Sequence, residues 1–344
     1  MTTKEVDEEG TWLDPEGVCG RELELWAGPD CMASWEPASP ARRGWRVGAR
    51  LQVLAFGSVA AALFLGGWFA RGALPREPSS PSTDKLAAAL FPDEGITLDV
   101  RWGDLPPRLS QNGVIDLEKF KEAAERAGSP LTAEQLRVLA EGSDEPLRVD
   151  ANSAYFVLDV LWALGLANRN PILTDGPMAQ RGWDQAKGYA STGGWTIGAR
   201  PGSEYLAAVE LLRLTPDEQD IAEEVAFNSY RPCCGNMTAF PDCNHGMAAL
   251  GLTELMASQG SSADEIFEAL KLVSPFWFPD QYHHLALYFD EQDQEWTELD
   301  PRLVMGAEYS SAVGWRQVDA WLQSAGILTG AGAGGGGKAS GCAP

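Results

Sequence analysis

The densest chemistry in this sequence lies between Tyr230 and Gly246, YRPCCGNMTAFPDCNHG, which holds three of the six cysteines and one of the three histidines. Thiolate and imidazole are soft to borderline donors. Cys233, Cys234, Cys243 and His245 are therefore a four-ligand set for zinc or copper. Their order, C-C-x8-C-x-H, departs from the C-x2-C spacing of familiar zinc folds, and adjacent cysteines do not readily share one ion. The same residues admit two other chemistries. Cys233 or Cys234 paired with Cys243 would close a short disulfide loop in an oxidising compartment. A remaining vicinal thiol could pair with Cys342 or act as a resolving thiol in redox exchange. A metal centre, a thiol-redox centre and a structural staple all stand on these positions.

A further constellation lies downstream. His283 and His284 precede LALYFDEQDQEWTELDP, and Cys243 stands about 40 residues earlier, before an apolar helix. This order resembles the end of a transglutaminase-like cysteine domain, in which a histidine, a strand, a turn and an Asp-Pro follow the nucleophile. The resemblance implies Cys243 as nucleophile, His283 or His284 as the base that takes its proton, and Asp300 holding the imidazole tautomer. The Trp that stands beside that family's histidine is absent here. The segment Asp280 to Phe289 also reads as a helix with Tyr282, Leu285 and Phe289 inward, which would leave the histidines on its flanks.

The elements around the cluster are helical by pattern. Thr215-Pro216-Asp217-Glu218 is a helix start with a cap, a proline in the first turn and acids that complement the dipole. That helix is expected to run from Pro216 to Tyr230 and to stop at Arg231-Pro232. Asp242 and Asn244 are natural caps for a helix from His245 to Gln259, so the cysteines meet in a loop between two helices, and a helix N-terminus near Cys243 stabilises its thiolate. Helices are also expected over Ile115–Ala127, from Thr132, over Ser203–Leu212, Ala263–Val273 and Ala312–Ser324. Ser153–Ala167 is apolar nearly all round and is expected as the central buried helix. Ser191 to Gly194 reads as a turn, the acidic stretch Asp290 to Asp300 as a solvated hairpin without the central Gly of an EF-hand loop, and the tryptophans as core or interface anchors.

The chain ends read differently. Leu51 to Ala70 is an uncharged run of 20 residues bounded by Arg50 and Arg71, long enough to cross a bilayer as a helix. Arg42, Arg43, Arg46 and Arg50 precede it. This bias puts the N-terminus in the cytoplasm and the large domain outside. A cleaved signal peptide is less consistent with the long stretch ahead of the run. The expected organisation is a poorly ordered cytoplasmic tail (1–50), a transmembrane helix (51–70), a Pro/Ser-rich linker (71–84), an extracytoplasmic helical domain (85–328) and a Gly-rich tail (329–344). The fold class is thus mainly α: a single-pass N-terminal transmembrane helix followed by one compact helical domain with few short strands.

Composition narrows the partners. Acidic residues outnumber basic ones 49 to 26, so a phosphate backbone is repelled and nucleic acid is not an expected partner. The expected partner is the lipid bilayer, through residues 51–70; nothing in the sequence names a protein partner. The strings WALGLANRNPIL, ASTGGW, YRPCCGN, DCNHGMAALG and SPFWFP resemble an uncharacterised group of bacterial membrane-anchored proteins. That resemblance implies one extracytoplasmic domain over most of residues 85–325 and supplies no activity. A non-enzymatic envelope protein with a structural disulfide therefore stands beside the metal, redox and cysteine-enzyme readings.

Overall fold

Ala154–Ala167 has no face suited to water, and the chain is built around it. The computed structural model describes residues 81–328. The apolar run 51–70, the stretches either side of it, the Gly-rich end and Cys19, Cys31 and Cys342 lie outside the described residues. Among the described residues no helix is long and apolar enough to cross a membrane. They form one mainly helical domain with a single two-stranded sheet, in keeping with the patterning.

The first helix, α1 (Pro81–Leu90), starts inside the stretch expected as a linker. It leads to β1 (Ile96–Gly103), whose Ile96, Leu98, Val100 and Trp102 all turn inward. Then come α2 (Leu105–Gln111), α3 (Leu117–Arg126), α4 (Ala133–Glu141), β2 (Ser143–Val149) and the central helix α5 (Ala154–Ala167). β1 and β2 pair antiparallel, Ile96 opposite Val149 and Leu98 opposite Leu147, with a register irregularity beyond Leu98. Four short helices follow, α6 (Pro171–Thr174), α7 (Pro177–Gln180), α8 (Trp183–Gly188) and α9 (Ala190–Gly193). The second half holds α10 (Pro216–Asn228), α11 (Asn244–Ser258), α12 (Ala263–Trp277) and α13 (Pro279–Asp290), then the short α14 (Pro301–Met305) and α15 (Ala307–Ser310) and finally α16 (Ala312–Ser324).

Helix α11 crosses α5 in the most extensive helix pair of the domain. Both helices are buried almost throughout. Glycine makes the crossing close: a Cβ on Gly165 would lie 2.1 Å from the Met247 carbonyl oxygen, and one on Gly251 would lie 2.2 Å from that of Leu161. Backbone sits where side chains would otherwise hold the axes apart. The caps work as the sequence predicts at Thr132 and Thr215, each closing a reciprocal capping box with Gln135 and Glu218.

Three expectations are corrected here. Ser191 to Gly194, expected as a turn, lies in α9 and its C-cap. Residues 203–212 are not a helix: after one 3-10 turn (Gly202–Glu204) the chain runs irregularly, with Ala207 at φ +51°. Asn168 captures this stretch, its Oδ1 accepting from the Leu211 and Leu212 N–H groups at 3.0 and 2.9 Å. The acidic stretch 290–300 forms no hairpin; it is a turn followed by a 3-10 turn (Trp296–Glu298), with Glu295 paired to Lys85 at 2.6 Å. Trp162, Trp195, Trp277 and Trp296 are buried as anchors, whereas Trp183 and Trp321 are exposed.

Candidate metal centre

The loop between α10 and α11 carries the cluster, and the segments of α14 and α16 hold it in place. The Tyr230 N–H donates to the Met305 carbonyl at 2.8 Å, and the Ala312 N–H donates to the Cys234 carbonyl at 2.9 Å. On the other side Ser229 Oγ contacts Thr238 Oγ1 at 2.8 Å, and the Thr238 N–H returns to the Ser229 carbonyl. The loop is therefore closed on itself and stitched to two distant segments.

Arg231 is its hub. Its guanidinium is buried and places all five N–H donors. Nε donates to Cys243 Sγ at 3.0 Å, Nη1 to the Asn236 and Met237 carbonyls at 3.0 and 3.1 Å, and Nη2 to the Phe240 carbonyl at 3.0 Å and Asp242 Oδ1 at 2.6 Å. Asn236 Nδ2 donates to the other Asp242 oxygen at 2.8 Å. Burial works against the Arg231 charge, but Cys243, Cys234, Cys233 and Asp242 together more than offset it, so its pKa is raised. Gly246 makes room for this arrangement, because a Cβ there would lie 2.3 Å from Arg231 Cζ.

Asp242 and Asn244 are the caps the sequence suggests for α11, but Arg231 and Asn236 engage both Asp242 oxygens and Asn244 is the first residue of the helix itself. Cys243 is the N-cap, its sulfur accepting from the Gly246 N–H at 3.3 Å. Two N–H donors thus point at one buried sulfur, a setting that accommodates negative charge. Cys233, which is exposed, brings its sulfur to 3.4 Å from that of Cys243. Cys234 is held as a thiol, its pKa pushed up to about 12: Cys233 acts in the lowering direction, and Cys243 and burial outweigh it.

His245 lies one residue into α11, buried, with Phe278 at 4.4 Å and Trp277 at 6.3 Å between ring centres. Burial drives its pKa down to about 4, with the Cys243 charge opposing and Arg231 assisting. It is therefore a neutral imidazole near pH 7, the form that ligates metals. Its Nδ1 is buried and has no hydrogen-bond partner among the described residues.

Two groups of donors converge within 4.8 Å: Cys233, Cys243 and His245, and separately Cys234, Asp242 and Cys243. Tetrahedral bonds of the usual length to sulfur and nitrogen place ligand atoms roughly 3.3–3.8 Å apart. In the first group the two sulfurs are 3.4 Å apart, inside that span, and all three donor atoms lie within 4.8 Å of one another. The second uses Asp242, whose two oxygens already accept from Arg231 and Asn236. The structure thus gathers Cys233, Cys234, Cys243 and His245 in one cluster that could hold a metal ion, with Cys233, Cys243 and His245 converging as one donor group and Cys234 in the other.

The remaining candidates are placed elsewhere. His283 and His284 stand on α13, a helix where the transglutaminase-like resemblance implies a strand. His284 Nδ1 lies 2.8 Å from Asp319 Oδ1, outside hydrogen-bond alignment, and its ring stacks beside Trp315. Asp300 caps α14, Oδ1 accepting from the Arg302 N–H at 2.9 Å. Arg231 was read from the sequence only as a helix stop. Its signal in the sequence is that it is the one Lys or Arg between Tyr230 and Gly246, in the same segment as Asp242. No family model, no curated protein and no solved structure matches this chain.

Proposed function

We propose that Cys233, Cys243 and His245 bind one divalent thiophilic ion, zinc in preference to copper, with three protein ligands and an outward coordination position beside exposed Cys233. The observation that carries this reading is the convergence of three donors within 4.8 Å, one of them a neutral, buried imidazole whose Nδ1 lacks a partner. Charge favours a divalent ion: two thiolates, Arg231 and Asp242 balance to neutrality around one, and a buried site is least costly when its charges cancel. Three protein ligands and one open position are the pattern of zinc sites that activate water or bind substrate.

A specific contact favours a second state of the same centre. With Cys233 and Cys243 sulfurs at 3.4 Å, a closure of about 1.4 Å reaches disulfide bonding distance, so the metal-free centre is poised for thiol redox chemistry. The cysteine-enzyme reading has less support, because Asp300 serves as a cap and His284 faces Asp319. Residues 51–70 are the basis for anchoring the domain in the cell membrane with its N-terminus cytoplasmic and the cluster outside.

The test is metal content of the full chain purified anaerobically without chelators, together with cobalt substitution. The expected result is about one zinc per chain, absent from Cys243→Ser and His245→Ala, and a thiolate-to-cobalt charge-transfer band. A chain that folds without zinc and shows no thiolate band with cobalt overturns the proposal.

A further inference from the structure

A cavity of about 360 Å³ opens between α3, α5 and the segment 194–197 and reaches Asn244, the first residue of α11, which lies between Cys243 and His245 in the chain. Trp162, Trp195, Leu158 and Ile197 supply its apolar wall. The two indole N–H groups are already committed, Trp162 Nε1 to the Ser191 carbonyl at 2.7 Å and Trp195 Nε1 to that of Val114 at 2.9 Å. The rings therefore offer carbon surface to an occupant, not donors. Arg126, Tyr155, Asp159, Thr196 and Asn244 bring polar groups to the same cavity, and a concave site that pairs apolar surface with convergent polar groups is a usual form of a small-molecule site.

Its polar groups are unequal. Asp159, on α5, is buried, bonded to Tyr155, and joined to no ion pair among the described residues. Burial pushes its pKa up to about 7, against the opposing effect of Tyr155, as expected of a carboxylate with no cation beside it. Arg126 ends α3 at the rim, exposed, and its one ion-pair contact is to Glu122 at a loose 3.9 Å. Both charges act on the Tyr155 phenol, whose pKa is raised by burial first and then by Asp159, and is lowered by Arg126. Asp159, Tyr155 and Arg126 thus line the same cavity as the two indoles, the acid buried and the base exposed.

We infer that this cavity binds a compact zwitterion of the α-amino-acid type, its ammonium on Asp159, its carboxylate on Arg126 and its side chain against Trp162 and Trp195. An ammonium neutralises a carboxylate that the fold leaves without a counter-ion. A carboxylate gives Arg126 a partner closer than Glu122. Neither a simple amine nor a simple acid uses both groups. The inference stands apart from the metal reading and does not depend on it.

The experiment is calorimetric titration of the full chain with three probes of one skeleton: L-phenylalanine, phenethylamine, which lacks the carboxylate, and 3-phenylpropanoate, which lacks the ammonium. L-Phenylalanine is expected to bind at least about tenfold more tightly than either. Asp159→Asn should remove its advantage over 3-phenylpropanoate, and Arg126→Gln its advantage over phenethylamine. Arg126 is exposed, so that variant tests the site without a threat to folding. Equal binding of the three probes, no binding at millimolar concentration, or an unchanged preference in both variants overturns the inference.

Discussion

The two ends of helix α11 each bury a charged residue type, and they handle it in opposite ways. At the N-terminal end Arg231 lies against the first turn with every donor matched, and an acid and a sulfur as partners. Toward the other end Glu254 is fully buried with one oxygen held by Asn168 Nδ2 at 2.9 Å and the other without a partner among the described residues. The difference follows from proton chemistry. A guanidinium cannot shed its charge at any ordinary pH, so the fold must surround it with acceptors. A carboxyl can take up a proton instead, and burial raises the Glu254 pKa to about 8, against the opposing Asn168 bond, so that it stays largely neutral near pH 7. The end built around a permanent charge is the end that carries the candidate site.

The sharpest way to break this comparison is Arg231→Met. Removing the guanidinium strands Asp242 and leaves three loop carbonyls without their donor, so a loss of about 3–5 kcal/mol is expected, read as a drop in denaturation midpoint. A loss below about 1 kcal/mol would mean the loop is held by its backbone stitches alone. Next comes Gly251→Ala, between the two ends, where the added methyl meets the Leu161 carbonyl. Backbone cannot rotate aside, so a cost of about 3 kcal/mol in thermal unfolding is expected. If Ala is tolerated, the close crossing is not what fixes the two ends.

The smallest effect belongs to Glu254→Gln and appears only as a function of pH. The folded pKa of about 8 lies above the unfolded value of 4.5, so the native state holds more protons than the unfolded chain between them. Stability from this group is fully present below the unfolded pKa and is lost as pH rises through the folded one. Wild-type protein should therefore lose about 2 kcal/mol relative to the Gln variant between pH 5 and pH 6.5, measured by urea unfolding at each pH. A pH-independent difference would show that Glu254 is ionised in the fold, and that the two ends are alike after all.

Much of the helical framework was legible because it is punctuated locally. Thr132 and Thr215 announce their helices by side chains that satisfy the first-turn N–H groups, and Ser153–Ala167 announces its burial by carrying a single charged residue, Asp159. The sheet was less legible: SDEPLRV has neither strict alternation nor β-branched richness, and it becomes a strand because β1 presents a partner for it. Residues 203–212 mislead for the converse reason. Their local composition suits a helix, yet Asn168, more than forty residues away, takes two of the N–H groups a helix would use. At the site, the cysteines and His245 were visible as a concentration of donors in one segment. Arg231 was not, because its role lies in the directions of five bonds, and sequence spacing does not encode direction.

The two stitches from the cluster loop, Tyr230 to Met305 and Cys234 to Ala312, also set an order of events during synthesis. Their partners are made some 75 residues later, and Ala312 opens the last helix of the described domain. Contacts of such long sequence separation form late, after the loop-closure entropy is overcome by the rest of the core. Cys233, Cys234 and Cys243 therefore leave the ribosome before the tethers that hold their loop exist. The thiols meet the surrounding redox conditions and metal pool with only the loop's own bonds, those of Arg231 and of Ser229 with Thr238, to shape them, and the two tethers are added when α14 and α16 dock.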